Sequence, residues 1–296
     1  MIAVQKGGAS EEVRQKAKHR LFVEGKGDRA LDPQVLGALL PMITIEPLGP
    51  CFSIRNVAQA LASVHPNDYF LADRDEWDEE TVEKSWRNFP DPDQSNLLIW
   101  RKRELENYFI DPEYLSKSKF IKGNIGIAGL SQAIEKAAHP RLFLDVANQV
   151  VMGLRKRQQW DWVHKFTQPE AFPNAEAALE QLLNAPEWKQ RTDEVRESLT
   201  PSNLQSLFDQ TLAEFSGGVI PLKTGHGAWR DLMGGKEIFH AILQRYFRVV
   251  DNQGNVLQGP QQRREVIKDL LARPLAEQPT DFQELHRLIE TRIRVG

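Results

Sequence analysis

Cysteine is almost missing from this chain. Cys51 stands alone among 296 residues. A single thiol cannot close an intrachain disulfide or build a cysteine cluster around zinc. A reducing, cytosolic setting is therefore the expectation. Long apolar runs are missing too, so no segment reads as a membrane span and no membrane partner is expected. The segment Met1 to Arg20 is polar and mixed in charge, without the apolar core of a signal peptide. No charge of one sign dominates: the net charge is −3. Contact with a polyanion must therefore come from local basic patches rather than from the bulk field. The glycine-rich stretch Gly123 to Gly129 lacks the Lys-Ser/Thr ending of a phosphate-binding loop, so it does not read as an ATP site.

What the chain does have is apolar residues, 41% of the total, enough for one large core or two smaller ones. Leu21–Val23, Met42–Leu48, Tyr69–Ala72 and Asn96–Trp100 read as four strands. Between the first three, Leu31, Val35, Leu36, Leu39 and Leu40, and then Val57, Ala58, Leu61 and Val64, recur at helical spacing. Strands alternating with helices predict an α/β fold with a mostly parallel sheet. After Pro112 the pattern is mainly helical, with Pro140 as a break in a long helical stretch. The expected organisation is a sheet domain over residues 1–125 and a helical region over 126–296. The second region would complete an active site or bind nucleic acid or a partner.

Acidic residues stand where strands end. Glu24 closes the first strand, and Gly25 and Gly27 release the backbone into a turn. Asp73 and Asp75 follow the third strand, and in extended chain their side chains share a face. In open α/β sheets ligands collect at the carboxyl ends of the strands. Carboxylates gathered there suit a hard cation such as Mg²⁺. Two such ions can clamp the attacking and leaving oxygens of a phosphoryl displacement. Asp28 reads as a cap for the next helix, or as a water-mediated metal contact. Glu76, Asp78, Glu79 and Glu80 read mostly as a solvated first helical turn. Further on, Glu104 and Glu106 would share a face of an extended segment. Glu106 is then a further carboxylate for a second ion, or a partner for Arg101 or Arg103.

The strand-Glu24-Gly25 motif, the intervening helix–strand–helix and the strand-Asp73-x-Asp75 motif together resemble the Toprim domain. That domain is shared by topoisomerases, bacterial primases and nucleases of the OLD (overcoming lysogenisation defect) family. Arg103-x-x-Glu106-Asn107-Tyr108 resembles a segment that follows the fourth strand in a subgroup of OLD-like proteins linked to ATPases. The resemblance covers residues 18 to 112 well and the helical remainder loosely. It implies a Toprim-like Rossmannoid sheet and a Mg²⁺- or Mn²⁺-dependent nuclease acting on DNA, or alternatively on RNA. Glu24, Asp73, Asp75 and Glu106 would be the catalytic metal ligands. In OLD-like nucleases a late lysine helps neutralise charge at the metal site. Lys236, after Gly235 at a helix start, is the candidate here, with a solvated turn lysine as the alternative.

Nucleic-acid contacts are expected from Arg101, Lys102 and Arg103, and from Arg155, Lys156 and Arg157 beside Trp160 and Trp162. The second group reads equally as an ordinary amphipathic helix. Full-length OLD proteins carry an ATPase domain that this chain lacks. The resemblance therefore implies an ATPase partner in trans, or a protein acting alone, and it allows a homo-oligomer. A role in phage defence or DNA repair follows from the resemblance only. The alternatives are a non-catalytic Toprim scaffold bound to an ATPase and a ribonuclease-type Toprim enzyme. A haloacid-dehalogenase-type phosphatase fits less well, because Asp73-Arg74-Asp75-Glu76-Trp77 follows the third strand and lacks a threonine. Topoisomerase and primase activities fit less well too, because the chain is short, has four tyrosines and cannot build a cysteine zinc site.

Overall fold

In the computed structural model, residues 18–24, 31–49, 51–61, 64–74, 77–91, 96–158, 174, 177, 180 and 186–295 are described. The first part alternates as its apolar runs require: β1 (Arg20–Glu24), α1 (Leu31–Leu39), β2 (Thr44–Gly49), α2 (Cys51–Leu61), β3 (Asp68–Ala72), α3 (Glu79–Asn88) and β4 (Leu97–Ile99). All four strands are parallel, in the order β2-β1-β3-β4. Every residue of β3 is buried, because a parallel strand is covered on both faces. Phe22, Phe70 and Ala72 pack with Ile54 and Ala58 of α2 on one face, while Leu21, Val23, Tyr69 and Leu71 enter the main core on the other. Arg20 and Asp68 are cross-strand partners joined by a 2.6 Å ion pair, which fixes the register of β1 against β3. Asp78 caps α3 by accepting the Thr81 N–H at 2.8 Å, and Glu79 and Glu80 fill its first turn as expected.

The segment after β4 departs from expectation. Leu105–Tyr108 is a buried 3-10 turn, not an extended run, so Glu104 and Glu106 do not alternate along a strand. The turn forms because Asn107 folds back: its N–H donates to the Glu104 carbonyl, and its Oδ1 accepts the Glu104 N–H at 3.1 Å. Beyond it come α4 (Pro112–Leu115), α5 (Gly126–Ala138), α6 (Leu142–Gln158), α7 (Pro186–Ser198), α8 (Pro201–Ser216), α9 (Trp229–Leu232) and α10 (Gly235–Tyr246). A short antiparallel pair, β5 (Val249–Val250) and β6 (Val256–Leu257), precedes α11 (Gly259–Leu271) and α12 (Thr280–Val295). The break expected at Pro140 is a 3-10 turn, His139–Arg141, between α5 and α6.

The core does not stop where the pattern turns helical. One cluster runs from Leu21 and Val23 through Trp100, Tyr108 and Phe109 to Phe239, Phe282 and Ile289. The Tyr108 and Phe282 rings lie 4.9 Å apart between centroids, and those of Phe109 and Phe239 lie 5.9 Å apart. Helix α12 begins against Tyr108, whose hydroxyl donates to Asp281 at 2.6 Å, and ends with Arg292 close to His19 and Tyr69 at the start of the sheet. Among the described residues no helix is long and apolar enough to cross a membrane.

Candidate functional site

The strand order places a crevice between β1 and β3. The chain leaves β1 for β2 on one side, then returns to β3 on the other, and ligands bind at such a switch point outside the carboxyl ends. Glu24 ends β1 there and Asp73 follows the last residue of β3. The Asp73 N–H donates to Glu24 Oε1 at 3.1 Å, so these two residues meet as expected. Asp75 and Asp28 lie outside the described residues.

A third acid joins them. Asp32 lies in the first turn of α1, the helix after β1. An acid in a first turn normally gains from the helix dipole. Here burial, and then the nearby carboxylates of Glu106 and Glu24, push Asp32 up to about 7, against the opposing charges of Lys236 and Arg263. In the sequence Asp32 looks like an ordinary dipole complement, so its charge type and position mark nothing. The signal available is that its helix starts immediately above the sheet edge.

Glu106 reaches this group from the 3-10 turn. It is only 8% exposed, and Arg263 of α11 grips it at 3.0 Å. Burial raises its pKa, opposed first by Arg263, while Glu104 adds to the rise and Lys236 opposes it. The expected partners Arg101 and Arg103 are not the ones used. No local pattern could have pointed to Arg263, which lies 157 residues further on.

Lys236 is brought to the same place, although it lies 132 residues after Glu104. Its backbone N–H donates to Glu104 Oε2 at 2.9 Å, and its charge acts on both Asp32 and Glu106. The glycine before it is not a loose turn. A Cβ on Gly235 would fall 2.4 Å from Asn107 Oδ1, so a side chain there has no space.

The Arg103–Tyr108 pattern acquires a physical meaning from these contacts. Each of its four matching residues bonds to the helical region. Arg103 donates to the Leu232 carbonyl at 3.3 Å, and Asn107 donates to the Arg230 and Met233 carbonyls at 2.7 and 2.9 Å. Glu106 takes Arg263, and Tyr108 takes Asp281. The basic run itself is largely committed to the fold. Arg101 bonds Glu83, Asp281 and Glu284 at 2.7–2.8 Å and stacks over Trp86 at 4.0 Å. Lys102 pairs with the half-exposed Asp231 at 2.9 Å. Arg101 and Arg103 thus serve as internal ties. Arg155, Lys156 and Arg157 fall in the last turn of α6. Their side chains, and Trp160 and Trp162, lie outside the described part.

Among the described residues, no three His, Cys, Asp or Glu side chains converge as a metal-binding group. The donor chemistry nevertheless fits a hard divalent cation in kind: the acids supply oxygen only, and their mutual repulsion is relieved by positive charge. Of the four expected metal ligands, Glu24, Asp73 and Glu106 are among the described residues and Asp75 is not. Comparison of the chain with protein-family models and with curated proteins finds no match, so the Toprim resemblance rests on the sequence motifs.

Proposed function

We propose that this chain is a Toprim-type nuclease that hydrolyses phosphodiester bonds of DNA, or of RNA, with Mg²⁺ or Mn²⁺. One observation carries the reading. Glu24 and Glu106 lie near enough to act on the carboxyl of Asp32 at the carboxyl edge of a parallel sheet, the Asp73 N–H donates to Glu24, and Lys236 and Arg263 stand beside them. Glu24, Asp73 and Asp75 would hold the cation, and Asp32 and Glu106 extend the acidic wall. A divalent ion held there supplies Lewis-acid polarisation of the scissile phosphate. The chain's own cations do the complementary work. Lys236 and Arg263 present positive charge to phosphate oxygens, where charge develops during displacement. Arg263 offers a planar fork suited to two such oxygens. Nucleic acid is then the substrate, and an ATPase acting in trans and self-association are proposed as further interactions.

A second reading, a Toprim scaffold without chemistry, is favoured by the grip of Arg263 on Glu106. That pair already neutralises a carboxylate that catalysis would use.

The two readings separate in a cleavage assay. Supercoiled plasmid, single-stranded DNA and RNA are incubated with the full chain and Mg²⁺ or Mn²⁺. Cutting is expected on at least one substrate. It should fall by about 100-fold or more in Glu24→Ala and in Asp73→Ala, with little change in Tm. Equal cutting by the variants, or none by the wild type, would sink the nuclease reading.

A further inference from the structure

Helix α10 begins on Gly234 and Gly235, which have no side chain to cap its first N–H groups. A helix start normally takes such caps from its own N-terminal residue. Here they arrive from elsewhere in the chain. The Lys236 N–H donates to Glu104 Oε2, and the Gly234 N–H donates to Asp145 Oδ2 at 3.3 Å. Asp145 is 2% exposed and is held in turn by Arg141 at 3.2 Å. Against Gly235 stands Asn107, which is 0% exposed. Its two amide protons go to the Arg230 and Met233 carbonyls, and its oxygen accepts the Glu104 N–H. A fully bonded buried amide specifies one geometry, because any shift leaves a polar group without a partner. Gly235 closes against it with no space for a methyl group.

We infer that Asn107 is the positioning residue for Lys236: it locks the turn that carries Glu106 to the helix start that carries the lysine. The inference rests on the nuclease reading for its catalytic consequence. Asn107 itself touches none of the reacting atoms. Without its amide the Arg230 and Met233 carbonyls lose their donor, the start of α10 loosens, and Lys236 drifts from the acidic cluster. The carboxylates on β1 and β3 stay where they are.

The test is a double-mutant cycle on plasmid cleavage with Mn²⁺, using the full chain, combined with amide hydrogen exchange. Asn107→Ala should lower kcat about tenfold or more with KM within about threefold, because a group acting on developing charge is lost and not a substrate contact. In a Lys236→Met background the same change should cost less than about twofold. Exchange in the peptide spanning 233–237 should quicken about tenfold, while peptides from β1 and β3 keep wild-type rates. Glu104→Ala, on a half-buried side chain, should reproduce both effects in smaller degree, and it carries the same test should Asn107→Ala not fold. A full additional loss in the Lys236→Met background, or unchanged exchange at 233–237, overturns the inference while leaving the nuclease reading intact. A wild type that cuts nothing overturns the nuclease reading and the catalytic half of this inference. The exchange result then decides the positioning half.

Discussion

Asp32 carries a cost that its neighbours impose. Its carboxyl is pushed up to about 7 by burial and by Glu106 and Glu24, whereas in an unfolded chain it ionises near 3.9. The folded protein therefore holds this proton more tightly than the unfolded one. The stabilisation is fully present below about pH 4 and is lost as pH rises through about 7. Ionising Asp32 in the folded state costs on the order of 2–4 kcal/mol at pH 8. Asp32→Asn keeps the shape and never ionises. In EDTA at pH 8 it is expected to raise Tm by several degrees, and to flatten Tm against pH between 5 and 8, as read by calorimetry. Added Mn²⁺ should raise the wild-type Tm more at pH 8 than at pH 6, since a cation favours the ionised carboxyls. An asparagine chain no more stable than wild type at pH 8 would mean that Asp32 ionises without penalty.

At the scale of elements, what could be read from the chain was what is local. Leu21–Val23 and Tyr69–Ala72 announce strands because both faces of a parallel sheet are covered, and Glu24 and Asp73 announce their ends. The same logic does not reach the ion pairs of Arg101–Lys102–Arg103. Three basic residues in a row look like a patch for phosphate, but charge in a sequence does not show which carboxylates fold back upon it. Those of Asp281 and Glu284 come from 180 and 183 residues away. The 3-10 turn at Leu105–Tyr108 escaped for a related reason: Asn107 bonds locally to Glu104 and distantly to Arg230 and Met233, and together these override an extended chain. Arg101 now ties the end of β4 to α3 and α12. Arg101→Gln leaves three carboxylates without their shared cation and removes the stack on Trp86. It is expected to cost about 1–3 kcal/mol, because the cluster is only partly shielded from water. Denaturant titration would measure that loss. Affinity for single-stranded DNA with Ca²⁺ in place of Mg²⁺ should stay within about twofold. A large loss of affinity with unchanged stability would return Arg101 to the nucleic-acid surface.

The whole molecule is knit by its last helix. Phe282, Leu285 and Ile289 of α12 are fully buried in the cluster that also holds Leu21, Trp100 and Tyr108. Each such side chain contributes about 1.5–3 kcal/mol by burial. Three of them approach the total stability of an ordinary domain, about 5–15 kcal/mol. The ion pairs of Asp281 and Glu284 with Arg101 add to this just beyond β4. Residues 1–125 therefore share one core with the helices that follow, and the sheet bearing Glu24 and Asp73 packs on helices encoded far downstream. Deleting residues 280–296 is expected to abolish a cooperative thermal transition and the near-ultraviolet circular dichroism of the packed aromatic rings. Much of the helical far-ultraviolet signal should remain, as in a collapsed chain that has lost specific packing. The shortened chain should also lose metal-dependent cleavage, although every proposed metal ligand is still present. A truncated protein that melts cooperatively with native near-ultraviolet bands would show instead that the sheet and α10 close a core without α12, and the site would then be a property of the sheet and not of the whole chain.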